Sequence, residues 1–312
     1  MEVSVYFPYL YGLASELLAL RDLVGSQYAG PVLPIIEPVK SDTANLRRAL
    51  EAIDESSLRS VVVTNPSLGE LRTAAAQRAW WVEAEPIIRS THAIPAIEVD
   101  ALTSASQVRG FVNSFPIGEL AVSVRAGGGA LAAIVAGEMA GRNPQIVCHH
   151  NVDDADFVAQ FGVSNVIRLN DSFNRQPRNA DYGGAEWFSS ANRSFGPAGR
   201  PGFGDYTVMS PLPMDTRGGP AGAVVVHATY VDASGDLWIE HYVSDTTDRD
   251  EGTAAEKLLE ALAKLRPDRS NYLDSPGMSS FDKIHDLAIR TSLSMNKRLQ
   301  ISHHLFTAGA AF

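Results

Sequence analysis

Residues 93–150 read AIPAIEVDALTSASQVRGFVNSFPIGELAVSVRAGGGALAAIVAGEMAGRNPQIVCHH, and the recurrence of apolar residues through this stretch decides the fold. Three short runs, AIPAIEVD, ELAVSVR and PQIVCHH, are mostly apolar up to their polar C-terminal ends. A strand that is apolar at successive positions has both faces covered, the condition of a parallel sheet flanked by helices. Between the runs, Val108, Phe111 and Val112 recur at helical spacing, and GGGALAAIVAGEMAG reads as a glycine-led helix. Strand and helix therefore alternate, and right-handed crossovers make the strands parallel.

The same unit extends in both directions. Toward the N terminus, Glu2 to Phe7 is a β-branched and aromatic strand closed by Pro8, and Leu13, Leu17, Leu20 and Val24 share one helix face. VLPIIEP is a second strand, Ser41 caps a helix carrying Leu46, Leu50 and Ile53, and RSVVVT is a third strand. Trp80, Ala84, Ile87 and Ile88 mark a helix that Pro86 is expected to kink or end early. Toward the C terminus, DDADFVAQF and SNVIRLN add a short helix and a seventh strand. A period of about 25–30 residues held over seven strands predicts a TIM-barrel-like (βα)8 fold in preference to an open doubly wound sheet.

The eighth strand is left between 206–211 and 223–231; the latter also pairs by turn chemistry with LWIEHYV across Asp232 to Asp236 as a hairpin. Residues 172–222 read as a long loop, with Tyr182 to Tyr206 as an aromatic-rich lid or wall over the barrel mouth. Helices over 253–265 and 281–293 follow. The expectation is one α/β domain over 1–312, with regular units to 171, the loop, then the hairpin and C-terminal helices.

The chain has 312 residues, 45% of them hydrophobic, and a net charge of -10, the composition of a globular protein without a general nucleic-acid or anionic-membrane surface. No signal peptide or membrane helix is recognised, which predicts a cytoplasmic protein. The one cysteine, Cys148, lies in an apolar run and reads as a buried thiol.

Ligand chemistry in such a fold belongs at the carboxyl ends of the strands. Those ends carry Glu37, Lys40, Asn65, Glu98, Asp100, Arg125, His149, His150, Asn151, Arg168, Asn170 and Asp171. Glu37, Glu98 and Asp100 suit a general acid and base, or alternatively the counter-charges of Lys40, Arg125 and Arg168. Glu98 and Asp100 share one face of their strand. Of the adjacent histidines only one enters the site, and His149 joins the catalytic candidates. No HxH, HExxH or CxxC spacing accompanies them, so no metal site is predicted and no cofactor is identified. Gly127 to Gly129 before a helix suits an anion, as do Arg168, Arg175 and Arg178.

The segments YFPYLYGLASELLALRDL, PIIEPVK, NPSLGEL, RNADY followed by EWFS, GFGDY, WIEHYVSD and ISHHL occur here in order. Together they resemble the bacterial and phage beta-protein family, end to end. The resemblance implies a fold unit spanning the chain and an accessory bacterial role in mobile-element or defence settings, but no reaction. It adds weight to Glu37, Lys40, Asn65, Arg178, Asn179, Asp181, Tyr182, Asp205, Tyr206, His241, Ser244, Asp245, His303 and His304. It departs at the Met1–Ser4 extension and at Tyr11, where a basic residue is more usual. The expected function is a hydrolase or lyase for a small anionic, nucleotide-like substrate, with Arg125, Arg168 and Arg178 holding the anion. The alternative is a non-catalytic sensor or partner-binding component of a defence cassette.

Overall fold

The computed structural model describes residues 5–56, 58–212 and 221–311. The expected start of the first strand at Glu2, the Met1–Ser4 extension and part of the long loop, 213–220, lie outside them. The strands are β1 (Tyr6–Leu10), β2 (Ile35–Ile36), β3 (Val61–Val63), β4 (Ile94–Val99), β5 (Ala121–Val124), β6 (Gln145–Cys148), β7 (Val166–Asn170), β8 (Gly184–Ser189), β9 (Phe203–Asp205), β10 (Val225–Val231) and β11 (Leu237–Val243). The α-helices are α1 (Ala14–Leu23), α2 (Ala44–Asp54), α3 (Ala74–Ser90), α4 (Ala105–Ser114), α5 (Gly129–Glu138), α6 (Ala155–Phe161), α7 (Ala191–Ser194), α8 (Ala254–Leu265), α9 (Pro276–Asp286) and α10 (Leu293–Gly309). By internal contacts the chain forms two compact units. The first holds the residues up to Leu13, Ala29–Asp171 and Ser194–Tyr206; the second holds Ala14–Tyr28, Ser172–Arg193 and the chain from Thr207 onward.

The first unit is a closed parallel barrel in the order β1-β2-β3-β4-β5-β6-β7-β9, as the βα period predicts. Its interior is filled by one parity of each strand, including Phe7, Tyr9, Ile35, Val61, Val63, Ala96, Val147, Ile167 and Leu169. The opposite parity of β4 to β7, with Val99, Val122, Val124, Ile146 and Val166, packs against Val108, Phe111, Leu131, Val135 and Phe157 of α4, α5 and α6. This two-sided burial is why the strands read as continuous apolar runs.

Closure comes from neither expected segment. β9 pairs with β7 and β1 and consists of Phe203, Gly204 and Asp205. Phe203 stacks on Tyr6 on the outer face, whereas the inward position is a glycine. A Cβ there would stand 2.6 Å from Leu169 Cδ2 and 2.7 Å from the Phe7 carbonyl oxygen. Large side chains from neighbouring strands already fill that space, so the closing strand carries almost no apolar signal of its own. Gly204→Ala is therefore expected to destabilise the barrel by about 1–3 kcal/mol through overpacking, measured as a fall in the urea midpoint at unchanged slope.

The expected lid is likewise replaced. Within Tyr182 to Tyr206, Gly184–Ser189 is strand β8, paired antiparallel with β11, and Phe203–Asp205 is the barrel strand β9. The expected hairpin is present, β10 pairing antiparallel with β11 from Val225↔Val243 to Val231↔Leu237. The second unit is this sheet, in the order β10-β11-β8, packed through Val224, Val226, Ala228 and Tyr242 on Leu258, Leu262, Met278, Phe281 and Leu299 of the C-terminal helices. Helix α1 belongs to the same unit, and Arg298 of α10 donates to Asp22 at 2.5 Å.

Pro86 does not end its helix, because α3 runs through it to Ser90. The carbonyl that loses its donor belongs to Val82, a residue 72% exposed, where water can replace the missing N–H. No helix of the described residues is long and apolar enough to cross a membrane.

Candidate functional site

Strand parity assembles the site. Glu37, Glu98, Ser123, Arg125, His149 and Tyr206 continue the inward-facing series of β2, β4, β5, β6 and β9 past the last apolar layer. Tyr9 of β1 stands in the same layer and is buried.

At its centre one guanidinium serves two carboxylates. Arg125 Nη2 donates to Glu37 Oε2 at 2.6 Å and lies 2.5 Å from Glu98 Oε2, to which Nε also donates at 2.7 Å. Tyr9 OH donates to Glu37 Oε2 at 2.9 Å. Ser67 Oγ donates to Glu98 Oε1 at 2.9 Å, and the Asn65 side chain holds the Glu98 backbone, accepting from its N–H at 2.7 Å and donating to its carbonyl at 2.9 Å. Two polar groups remain open among the described residues. Glu37 Oε1 is buried without a hydrogen bond, and Arg125 Nη1 donates to nothing, its hydrogen bonds running through Nε and Nη2.

Two carboxylates and one guanidinium leave one surplus negative charge. Burial first, and the Glu98 charge second, raise the Glu37 pKa to about 7, against the opposing pull of Arg125 and the Tyr9 hydrogen bond. Burial works against the Arg125 charge, yet Tyr9, Glu37 and Glu98 hold its pKa above the ordinary guanidinium range. The surplus charge thus favours one proton on the cluster near neutral pH, with Glu37 as the carboxyl whose pKa burial raises.

Beside it runs a second chain. Ser123 Oγ lies 3.0 Å from His149 Nε2, and Tyr206 OH lies 2.8 Å from His149 Nδ1. Burial, then the charges of Arg125 and His150, lower the His149 pKa, so the ring is neutral and has one N–H. It donates to one of the two oxygens and accepts from the other, a path along which a proton can pass without creating an ion. The Tyr9 ring meets His149 edge to face at 4.7 Å and Tyr206 at 5.7 Å, joining the two chains. His150 is exposed, with Nδ1 3.3 Å from Tyr206 OH.

The other expected site residues lie elsewhere. Asp100 follows the end of β4, is exposed, and accepts from the Leu102 N–H in its own turn instead of joining Glu98. Lys40 pairs with Glu70 at 2.7 Å on the surface. That contact belongs to the NPSLGEL loop, in which Gly69 takes a φ of 60° against Val39. Arg168 is exposed on the outer parity of β7. Asn170 donates to the Gly204 carbonyl at 3.4 Å, and the buried Asp205 accepts from Tyr6 OH at 2.9 Å on the outer face. Both serve closure. Gly128 and Gly129 have the Asp156 carboxylate against them, so the glycine-led helix start already faces an acid of its own chain. Cys148 is buried with its thiol pKa raised to about 12, chiefly by burial, as a structural cysteine should be.

Arg178, Asp181 and Tyr182 belong to the second unit. Arg178 and Asp181 are an exposed pair at 2.5 Å. Tyr182 packs with Phe173 on His227 and His241, whose Nδ1 atoms lie 2.7 Å apart, and His241 Nε2 lies 3.2 Å from Glu186. His303 bridges Ser275 Oγ and the Thr229 carbonyl. No set of three or more metal-ligating side chains converges among the described residues.

Tyr9, Ser67 and Ser123 are neighbours within the polar cluster that the polar strand ends did not reveal. Tyr9 and Ser123 were legible only through parity, sharing a face with Phe7 and Arg125 respectively.

No family model matches the chain, and no curated protein or solved structure matches it either.

Proposed function

We propose that the barrel mouth is an acid–base site, a hydrolase or lyase centre for a small polar substrate that develops or carries negative charge. The observation that supports this is Glu37, a buried carboxyl with one oxygen lacking a hydrogen bond and a pKa near the pH of the cell. In this reading protonated Glu37 gives its proton to a leaving group, and Glu98 keeps Arg125 in place. The free Nη1 of Arg125 takes the negative charge as it forms. The Ser123–His149–Tyr206 chain relays a second proton. Arg168 and Arg178 have no part in it, since one points outward from the barrel and the other is paired with Asp181.

Complete burial of Glu37 and the pairing of Glu98 with Arg125 through both Nε and Nη2 favour a second reading. In it the cluster is a polar plug that rigidifies a binding component, consistent with the accessory role implied by the resemblance. A panel of nitrophenyl esters, glycosides and phosphates, assayed across the neutral pH range, separates the two. The acid–base reading expects turnover of at least one class, with a pH limb near 7 and a loss of about 10²–10⁴-fold in Glu37→Gln. Absence of turnover, or turnover that Glu37→Gln leaves intact, rejects it in favour of the plug.

A further inference from the structure

The second unit carries a groove of about 530 Å³ between the β10–β11 hairpin and the 3-10 turn Arg266–Asn271, of a size that holds a small molecule. Three tyrosines wall it, with Tyr230 and Tyr242 each meeting Tyr272 edge to face at 6.1 and 6.3 Å. Three carboxylates, Asp232, Glu240 and Asp268, also line it, and no lysine or arginine does so among the described residues. Tyr242 OH donates to Asp268 Oδ2 at 2.9 Å, so the Tyr242 oxygen accepts from Tyr272 at 2.7 Å. These two hydroxyls are thereby committed, with the Asp268 carboxylate at the end of the chain as acceptor. Glu240 has no such partner among the described residues. Burial, and then the charge of Asp268, raise its pKa, which marks an uncompensated negative charge facing the groove.

The chemistry that relieves this is a cation, and the walls say which kind. Carboxylates that bind a bare metal ion must converge within bonding distance of one point, and no such group of three exists among the described residues. Ring faces carry negative potential and attract an ammonium that is only partly desolvated. We propose that this groove binds the alkylammonium end of a small organic amine, with Glu240 and Asp268 as counter-charges and Tyr230, Tyr242 and Tyr272 as walls. The site is independent of the chemistry at the barrel mouth.

Calorimetric titration of the full chain with cadaverine tests the assignment, with n-pentanol as the uncharged control. Saturable binding of cadaverine and none of pentanol are expected. The double variant Glu240→Gln, Asp268→Asn should weaken binding by about tenfold or more, and Tyr230→Leu, which leaves the Tyr272–Tyr242–Asp268 hydrogen bonds in place, should weaken it by severalfold. Circular dichroism establishes that each variant is folded. Absence of saturable binding, equal binding of pentanol, or a folded double variant with wild-type affinity would overturn the proposal. The last outcome would reduce the effect to general attraction by the chain's net charge of -10.

Discussion

Arg125→Leu is expected to destabilise the barrel by about 3–5 kcal/mol at about pH 8, the cost of leaving buried carboxylates without their counter-ion. Glu37 is wholly buried and Glu98 nearly so, and both depend on the same guanidinium. Leucine supplies neither charge nor donor, and Tyr9 and Ser67 each support only one of the acids. The loss should shrink at about pH 5, where protonated Glu37 no longer repels Glu98. Scanning calorimetry at both pH values measures this. A loss below about 1 kcal/mol at the higher pH, the range of an exposed pair, would show that the cluster is solvated and the barrel mouth open to water.

Glu37→Gln should do the opposite to stability and, on the acid–base reading, lower turnover by about 10²–10⁴-fold. The folded-state pKa of Glu37 is raised from 4.5 to about 7. Its favourable contribution is therefore fully present below the unfolded value and is lost as pH rises through the folded one. The difference amounts to about 3 kcal/mol above neutrality. Glutamine resembles the protonated acid and has no proton to lose, so the variant should gain on the wild type between about pH 5 and 8, up to that amount. The buried histidines, whose pKa values are lowered chiefly by burial, oppose folding as pH falls. They are common to both proteins and cancel in the comparison. A stability difference that does not change with pH would mean that Glu37 stays ionised throughout, and the general-acid role would fall with it. A variant both more stable and inactive is the expected mark of a residue kept for chemistry at a cost to the fold.

Much of this architecture is legible in residue order. The polar ends of the inward-facing series identify Glu37, Glu98, Arg125 and His149, because strand parity is a local rule that needs no knowledge of neighbours. The same rule places Arg168 and Asp205 on the outer face, and applied strictly it separates them from the site. Asp100 obeys the parity of Glu98 yet opens the turn 100–103, where its carboxylate accepts from the Leu102 N–H and is held to its own backbone. The histidines of the second unit carry no such signal. His227 and His241 are separated by a hairpin and meet only through strand register.

The sequence by itself determined the class of the fold, since apolar strands at a constant βα spacing can bury both faces only in a parallel sheet covered by helices. It also determined the hairpin, whose turn chemistry is local. Only the tertiary structure decided how the barrel closes and where its charge resides. Gly204 belongs to a strand because it pairs with Phe7 and Leu169, which leave room for no side chain at that position. Glu37 holds a proton near neutrality because burial and Glu98 together outweigh the one arginine that both acids share.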